Sequence, residues 1–458
     1  MRDGVLGNWV GDETYEATRK PIAIQISIHP QKHVLTMFYD NPQMKFHHMG
    51  PMPLTQDGQS YKNRYFDLTL SSDGVWLSGT KSFDGHTLRV DLHRGDLAEQ
   101  NPAPQISIAE RQPLWSFKSG GEIWSSPVVK DRTVYFGSND HCLYALDTRG
   151  GSLRWQLKTG GAVVGSPSVD LETVYVLSDD GYLYKLRCND GFILWKFDTR
   201  GGAVAREWNS GAYDYLGSAA TRAESTIYVG SAANALYAVD AESGTERWHF
   251  STKGSVRSIP AVADGRVFFG SYDHFVYALD AKSGFLLWKS DTLEPVVSSP
   301  IVARGLVYVG SRSSDLFAFD AATGAVRWDY FFWSSWVESS ARVRGGVLYV
   351  GSSDYQQVFA LDAADGNERW RSDVDGSVWS TPAVTRERVY VGVAGVADYF
   401  IAHHGAFYAL NRHDGKAVWR HSFPQQGTTW GVATSPAVAD GRVYFGALDG
   451  TFYAFRAD

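Results

Sequence analysis

Hydrophobic and polar residues alternate along most of this chain in short runs that glycine separates. Residues 125–155 read SSPVVKDRTVYFGSNDHCLYALDTRGGSLRW, and residues 298–328 read SSPIVARGLVYVGSRSSDLFAFDAATGAVRW, in phase and without a gap. Each copy contains four strand-like pieces, centred on a small-small-Pro step, a Val-Tyr-Val/Phe-Gly run, a Leu-Tyr-Ala-Leu-Asp-like run and a Trp. Period-two alternation with glycine turns is typical of antiparallel strands, so each copy predicts a four-stranded unit.

The unit recurs eight times. Its third strands contain the aromatic residues Tyr144, Tyr184, Tyr237, Tyr277, Phe317, Phe359, Tyr408 and Tyr453. The last copy ends without a Trp strand, whereas an unattached strand, residues 113–117 with Trp115, precedes the first copy. Pairing these two ends closes a ring and removes the open edge, which predicts an all-β, eight-bladed β-propeller over residues 112–458.

The end of each copy resembles the pyrroloquinoline-quinone-type (PQQ-type, or quinoprotein-like) propeller repeat. Its Ala-x-Asp-x-x-x-Gly-x-x-x-Trp pattern runs from Ala145 to Trp155, from Ala278 to Trp288 and from Ala360 to Trp370. The resemblance implies the propeller fold. It leaves function open, because that family includes quinone-dependent dehydrogenases, an outer-membrane assembly lipoprotein, and enzymes or sensors that bind no quinone. We interpret the recurring Asp and Trp as architecture.

Residues 1–105 lack this repeat but contain alternating strand-like runs. They are residues 23–28, 34–39, 65–70, 75–79 and 88–92. The alternation predicts a small antiparallel β-sandwich or barrel, followed by a linker at residues 101–104. Its GxWxG opening resembles a lipocalin-like accessory domain found beside bacterial hydrolases. The roles left open are ligand binding, covering a propeller face, and homo-oligomerisation.

Composition and charge exclude several classes of partner. The 458 residues are 44% hydrophobic and 20% charged, as in a globular protein. The net charge is −7 with scattered Lys and Arg, which argues against nucleic acid. No apolar run approaches the roughly 18 residues of a membrane span, and no leader is visible. The expected location is cytoplasmic, or periplasmic or secreted if a leader has been removed. Cys142 and Cys188 are expected to be free thiols.

Comparing the copies with one another identifies candidate site residues. One position just before the small-small-Pro step varies while its neighbours do not: Trp124, Val164, Leu216, Arg257, Val297, Glu338, Trp379 and Ala433. In propellers of the family this chain resembles, the innermost strand starts at the ligand-holding face, so these side chains are expected to surround the mouth of the central channel. Arg257 and Glu338 there are hydrated, paired with each other or a neighbour, or directed at a ligand.

Longer loops are predicted to surround the same mouth. They contribute aromatic, acidic and histidine residues that are expected to be exposed: Glu207, Trp208, Asp214, Tyr215, Trp333, Trp336, Trp430 and, in the insertion 394–405, His404. Long loops and concave aromatic surfaces are typical of small-molecule sites. We therefore expect ligand binding by these aromatic residues, Glu207 and His404, together with Trp124 and Trp379, and no metal site. Glu338, Arg257 and Asp214 are the catalytic candidates.

Three functions remain open. The first is a non-redox enzyme of lyase, isomerase, cyclase or hydrolase type, in which Arg257 holds an anionic or carbonyl oxygen and Glu338 transfers a proton. The second is a non-catalytic propeller that binds a ligand or a protein. The third is a PQQ-dependent dehydrogenase with calcium, but the adjacent-cysteine pair seen in many alcohol-oxidising members of that family is absent. The leading expectation is a small organic ligand and no cofactor.

Overall fold

The computed structural model describes residues 7–15, 21–28, 34–41, 44–53, 55–57, 59–62, 66–72, 76–83, 86–94, 108–201, 217–332, 335–354, 356–397 and 403–458. Clustering of contacts divides the chain into two compact units, with Met1–Ser107 in one and most of residues 108–458 in the other. All the described secondary structure is β. The described residues include no helix of the length and apolarity that spanning a bilayer requires.

The described residues of the N-terminal unit form nine strands. They are β1 (Gly7–Tyr15), β2 (Pro21–Ile28), β3 (Val34–Asn41), β4 (Met44–Pro53), β5 (Thr55–Asp57), β6 (Ser60–Lys62), β7 (Phe66–Leu70), β8 (Trp76–Phe83) and β9 (His86–Arg94). They form one antiparallel sheet in the order β4-β3-β2-β1-β9-β8-β7-β6-β5.

Chain connectivity curls this sheet. The strands β4 and β5 stand at opposite ends of the sheet order, and a flat sheet would hold them roughly 38 Å apart. Only one residue separates Pro53 from Thr55, which limits their Cα atoms to about 7 Å. The sheet therefore bends round toward a barrel, one of the two forms that the sequence predicts. Its resemblance to a lipocalin-like domain stays a prediction.

The described residues of the second unit form eight blades of four strands each, which we call blades 1 to 8, and two further strands extend the sheet of blade 7 to six. Its strands are β10 (Ala109–Glu110), β11 (Trp115–Lys118), β12 (Val128–Lys130), β13 (Thr133–Gly137), β14 (Cys142–Asp147), β15 (Leu153–Lys158), β16 (Ser168–Val169), β17 (Thr173–Leu177), β18 (Tyr182–Arg187), β19 (Ile193–Asp198), β20 (Thr221–Ala223), β21 (Thr226–Ser231), β22 (Ala235–Asp240), β23 (Glu246–Ser251), β24 (Ala261–Ala263), β25 (Arg266–Gly270), β26 (Phe275–Asp280), β27 (Leu286–Asp291), β28 (Ile301–Ala303), β29 (Leu306–Gly310), β30 (Asp315–Asp320), β31 (Val326–Phe331), β32 (Arg342–Arg344), β33 (Val347–Gly351), β34 (Gln357–Asp362), β35 (Glu368–Asp373), β36 (Ala383–Val384), β37 (Arg388–Val396), β38 (Gly405–Asn411), β39 (Ala417–Phe423), β40 (Thr429–Gly431), β41 (Ala437–Ala439), β42 (Arg442–Gly446) and β43 (Thr451–Arg456).

Blades 1 to 7 begin at β12, β16, β20, β24, β28, β32 and β36, and each contains four consecutive strands in sequence order. Blade 8 has the order β41-β42-β43-β11, and Trp115 of β11 pairs with Ala454. The first strands β41 and β12 lie side by side, which joins blade 8 to blade 1. The predicted eight-bladed ring, closed by an N-terminal outer strand, is confirmed.

The recurring Trp and Gly join neighbouring blades, and the recurring Asp fixes the turn within its own blade. Trp328 Nε1 donates a hydrogen bond to the carbonyl of Ala363 in the next blade, at 3.3 Å. Below that ring lies Gly366, where a Cβ atom would stand 2.7 Å from Trp328 Cε3, and its φ is +77°. Asp362 accepts hydrogen bonds from the turn amide of Ala364 and from the Arg369 guanidinium. These contacts are structural, as the recurrence indicates.

The small-small-Pro step fixes where each inner strand starts. The first hydroxyl of the step bonds within its blade: Ser298 Oγ donates to the Gly310 carbonyl and accepts from the Gly310 amide, both at 2.8 Å. The second hydroxyl bonds between blades, and Ser299 Oγ accepts from the Ile259 amide at 2.9 Å. A serine pattern in the sequence thus places the residue before it at the channel.

Candidate functional site

The central cavity is surrounded by the position that varies between copies. Its first ring is Trp124, Val164, Gly217, Arg257, Val297, Glu338, Trp379 and Ala433. The sequence analysis placed Leu216 in this ring, which is wrong by one residue. Ser218 Oγ accepts a hydrogen bond from the amide of Gly230, which lies twelve residues later in the chain. Ser258 Oγ accepts the equivalent hydrogen bond from the amide of Gly270, at the same spacing. Gly217 therefore corresponds to Arg257. Blade 3 has Ala220, and blade 6 has Ala341, in place of the proline that marks the register in the other six blades.

Two tryptophans fill one side of this mouth. The rings of Trp124 and Trp379 stack on each other, with centroids 6.2 Å apart and planes inclined by 22°. Both are buried, and their indole N–H groups are satisfied within the protein: Trp124 donates to Glu122 Oε2 at 2.8 Å and Trp379 to Ser353 Oγ at 2.7 Å. Such rings are held by their neighbours, so they plug the mouth.

A buried ion pair occupies the other side. Arg312 donates from Nε to Glu338 Oε1 at 2.8 Å, and its Nη2 lies 2.7 Å from the same oxygen. The side chain of Glu338 is 0% exposed and that of Arg312 is 7% exposed. The guanidinium also lies over the rings of Trp336, at 4.6 Å, and Tyr272, at 5.5 Å. Glu338 is thus paired with a neighbour, one of the states that the sequence left open.

Glu338 retains one unused acceptor. Its Oε2 atom is buried and has no hydrogen-bond partner among the described residues. Burial, and secondarily the Asp354 carboxylate, raise the pKa of Glu338 well above its ordinary value, although the Arg312 guanidinium favours the ionised form. A carboxyl with a raised pKa can donate or accept a proton. Arg257 is also buried and lines the same cavity.

The space between these groups is small. The cavity volume is about 60 Å³, and a second ring of side chains narrows it further along the channel: Ser126, Ser166, Ile259, Ser299, Ser340, Thr381 and Ser435. Sites for small organic molecules usually measure about 300–1,000 Å³. This volume holds a few water molecules, which can bridge the hydroxyl groups.

The loop residues fall into three groups. Trp336 is half-buried beneath Arg312 and belongs to the mouth. Trp430 is only 4% exposed, so its predicted exposure is wrong: β40 pairs with the extended strand β37, and a Cβ atom at Gly395 or Gly405 would overlap the Trp430 ring. The other predicted site residues lie outside the described residues: Glu207, Trp208, Asp214, Tyr215 and Trp333.

The histidines of the insertion lie at blade 7. His404 is exposed, and its amide donates to the Asp375 carbonyl at 2.7 Å. His403 is buried, and burial together with His404 lowers its pKa to about 4, so it is neutral at pH 7. Within the described ranges, no three His, Cys, Asp or Glu side chains are arranged to hold a metal ion. Cys142 and Cys188 are free thiols.

Sequence reasoning missed Arg312 and Tyr272. Both follow the Gly-Ser at the end of the second strand of a blade, and at the same position the other copies have Asn139, Asp179, Ala232, Ser353, Ala394 and Leu448. This position varies between copies, whereas Gly-Ser precedes it in five of the eight. Applying the same comparison there would have identified the partner of Glu338.

The eight four-stranded sheets and the axial cavity define the class: this is a quinoprotein-like β-propeller. The model of the family described as "Outer membrane protein assembly factor BamB" matches residues 105–214, 204–341 and 332–458, which together cover most of the chain. The chain belongs to this family.

Solved structures show the same fold. BamB from Moraxella catarrhalis superposes with a TM-score of 0.58 at 19% identity, covering 75% of this chain and 97% of that one. A quinohemoprotein alcohol dehydrogenase from Comamonas testosteroni gives a TM-score of 0.58 at 15% identity, covering 75% and 76%. At these identities the likeness concerns the fold alone.

Curated relatives match a shorter stretch. Quinohemoprotein alcohol dehydrogenase ADH IIB from Pseudomonas putida is 30% identical over 112 residues, which is 24% of this chain and 16% of that protein. Quinoprotein alcohol dehydrogenase PedH from Pseudomonas putida is 26% identical over 110 residues, which is 24% of this chain and 18% of that protein. The match thus spans less than a fifth of either relative.

The quinone named in these relatives does not fit the described residues of the mouth. The stacked rings of Trp124 and Trp379 fill one side of the mouth, so the described residues leave no open slot beside them for a multi-ring quinone. The cavity of about 60 Å³ beside them is too small for such a molecule. Glu338, the buried acid of the first ring, is already paired with Arg312.

Proposed function

We propose that this protein is a non-catalytic scaffold propeller that binds an extended segment of another protein along the outer edge of a blade. The observation that carries the proposal is that the mouth described above, which we call the upper mouth, is filled. The stacked tryptophans and the buried Arg312–Glu338 pair leave a cavity of about 60 Å³ there. A substrate would have to displace both. The family description, an outer membrane protein assembly factor, supports a role of this kind.

The outer edges of the blades differ in a way that the fold does not require. After the turn glycine, blade 2 has Phe192, Ile193 and Leu194, and blade 4 has Phe285, Leu286 and Leu287. All six are exposed; Phe192 is 61% and Phe285 is 75% exposed. At the same places blades 3 and 6 have Thr-Glu-Arg and Asn-Glu-Arg, at residues 245–247 and 367–369. Exposed apolar clusters on a sheet edge are typical of partner sites.

The chain itself shows that such an edge accepts another strand. The short strand β10 lies parallel to β39, the outer strand of blade 7, with Ala109 opposite Trp419. Glu110 secures it by accepting hydrogen bonds from Arg420 at 2.7 Å and from Ser422 Oγ at 2.6 Å. The outer strands β19 and β27 of blades 2 and 4 are the last strands of their sheets. Their main-chain groups are placed to pair with a partner in the same manner.

Photo-cross-linking at matched positions tests this proposal. A benzophenone amino acid replaces Phe192 or Phe285 in the test variants, and Thr245 or Asn367 in the controls, which occupy the same place in blades 3 and 6. In an extract of the source organism, we expect one defined protein to be captured from position 192 or 285 and not from the control positions. Equal capture from all four positions, or none from 192 and 285, would contradict the proposal.

The competing enzyme functions are tested on the same preparation. Adding PQQ and calcium should produce neither a shifted absorption spectrum nor dye reduction with alcohols. Acid–base chemistry at Glu338 and Arg257 requires a substrate whose turnover falls in Glu338→Gln. Quinone-dependent dye reduction by the wild type would replace the scaffold proposal with a dehydrogenase.

A further inference from the structure

The opposite end of the channel, which we call the lower mouth, is open and large enough for a small molecule. Its cavity measures about 450 Å³ and lies where the inner strands of blades 1, 6, 7 and 8 end. Its walls are mostly aliphatic: Pro127, Val128, Val129, Val343, Ala383, Val384, Pro436, Ala437, Val438 and Ala439. This volume lies within the usual range for organic ligands.

Two arginines lie on this apolar wall. Arg342 and Arg344 belong to β32, the inner strand of blade 6, and both are exposed. Glu338 and Ser340 line the upper cavity, and strand alternation places Arg342 and Arg344 on the same side of the chain. Arg344 Nη1 donates to the Val384 carbonyl at 3.2 Å, which anchors it across the blade junction.

Neither guanidinium is neutralised by the part of the chain that the structure describes. No carboxylate there lies within 4.0 Å of Arg342 or Arg344, unlike the ion pairs of Arg327 and Arg369 on the outer strands. An arginine beside an apolar cavity presents a planar set of donors that matches a carboxylate or a phosphate.

The other blades show that the fold does not require these charges. At the position of Arg342 they have Val128, Ser168, Thr221, Ala261, Ile301, Ala383 and Ala437. At the position of Arg344 they have Lys130, Asp170, Ala223, Ala263, Ala303, Thr385 and Ala439. The single carboxylate among them, Asp170, already contacts Arg222 and accepts from Thr173 Oγ1 at 2.6 Å. The lining of this cavity therefore contains two cationic side chains and no acidic one.

We propose that the lower mouth binds an amphipathic organic anion, with Arg342 and Arg344 holding a carboxylate or phosphate group and the aliphatic wall contacting its apolar body. The aliphatic wall explains why a bare inorganic anion is not the best occupant. The two guanidinium groups explain why an uncharged apolar molecule is not. This site is separate from the outer edges of blades 2 and 4 and does not depend on the scaffold function.

Calorimetric titration of the full chain with octanoate, octyl phosphate and octan-1-ol tests the proposal. We expect one site per chain for an anion, and at least tenfold weaker binding of the alcohol. The stronger of the two anions identifies the head group. Equal binding of octanol and both anions, or no binding of either anion, would overturn the proposal.

Substitutions of Arg342 and Arg344 test whether these side chains hold the anion. Arg342→Gln should weaken anion binding at least tenfold, and Arg344→Gln provides a second measurement. The matched control is Arg304→Gln, which removes the same charge from an exposed turn in blade 5 outside the cavity lining and should leave affinity unchanged. Because Arg342 is exposed, its replacement should leave the melting temperature near that of the wild type. An equal loss in Arg304→Gln would show non-specific attraction and refute the site.

Discussion

At the scale of single residues, the turn glycine beneath seven of the eight blade tryptophans combines two separate constraints; no described glycine lies against Trp419. Gly366 has a φ of +77° and lies against the Trp328 ring, whereas Gly305 has a φ of +76° with nothing within 4 Å of an added Cβ. A comparison of Gly305 with Gly366 therefore separates the effect of backbone strain from that of steric overlap. Only the first constraint can be inferred from a turn pattern, whereas the second depends on the neighbouring blade.

Alanine substitutions should resolve these contributions. Gly305→Ala should lower the free energy of unfolding by about 1–2 kcal/mol, since only the left-handed backbone is strained. Gly366→Ala should cost about 1–3 kcal/mol more, because the new methyl group displaces the Trp328 ring. Urea denaturation followed by tryptophan fluorescence measures both. Equal losses in the two variants would mean that the ring moves aside freely.

The buried pair at the upper mouth predicts a pH dependence. In Arg312→Met, Glu338 loses its counter-charge inside the protein, which should cost about 3–5 kcal/mol at pH 8. A raised pKa in the folded state means that the native protein binds the proton more tightly than the unfolded chain. Stability is then greatest at low pH and declines as pH rises from the unfolded pKa through the folded one. The deficit of the variant should therefore shrink at pH 5.

Unfolding curves at pH 5 and pH 8 measure this deficit. The matched control is Arg327→Met, which removes an exposed arginine paired with Asp320 and should alter stability little at either pH. The double variant Arg312→Met/Glu338→Leu should recover much of the loss, because no unpaired charge remains. A deficit that does not change with pH would show that Glu338 is not protonated when Arg312 is absent.

At the scale of elements, the strand β11 completes blade 8 from the other end of the chain. Trp115 stacks on Phe452 with centroids 6.1 Å apart, and Phe117 contacts Tyr144 of blade 1 at 5.4 Å. A chain comprising residues 112–458 retains this strand but lacks β10, and one comprising residues 119–458 lacks both strands. We expect the shorter chain to be less stable by at least about 3 kcal/mol. Thermal and urea unfolding of the two chains measure the difference, and equal stability would contradict ring closure as a source of stability.

The elements also show what the sequence could predict. The eighth Trp strand could be assigned to β11 because the last copy of the repeat has no Trp strand of its own, and β11 precedes the first copy without belonging to it. The register of blade 3 was assigned wrongly, because Ala220 replaces proline and both Gly217-Ser218 and Ser218-Ala219 satisfy a small-small pattern. Counting twelve residues back from Gly230, as from Gly270 to Ser258, would have given Ser218, and the hydrogen bond from the Gly230 amide to Ser218 shows this register. Trp430 was predicted to be exposed because β40, a strand outside the repeat, cannot be recognised by comparing copies.

At the scale of the whole molecule, the repeat determines the ring and the departures from the repeat suggest its sites. The variable position of the inner strand identified Glu338, Trp124 and Trp379, which line the cavity. Their packing against each other and against Arg312 fills the mouth. Their chemistry depends on Arg312, which is 26 residues from Glu338 in sequence and in a neighbouring blade. Such pairing across blades is invisible to a comparison restricted to one column. The outer edges and the lower mouth were overlooked because the comparison of copies was not extended to the positions that form them.

Ring closure by β11 also sets an order of events during synthesis. The strand Trp115–Lys118 leaves the ribosome before any blade exists, yet its partner β43 is made about 340 residues later. At typical elongation rates that interval is roughly 20–70 s. Through this time Trp115 and Phe117 can contact blade 1, as Phe117 does at Tyr144, but they lack their partners on β43. Blade 8 therefore cannot be completed, and the ring cannot close, until the last strand is released.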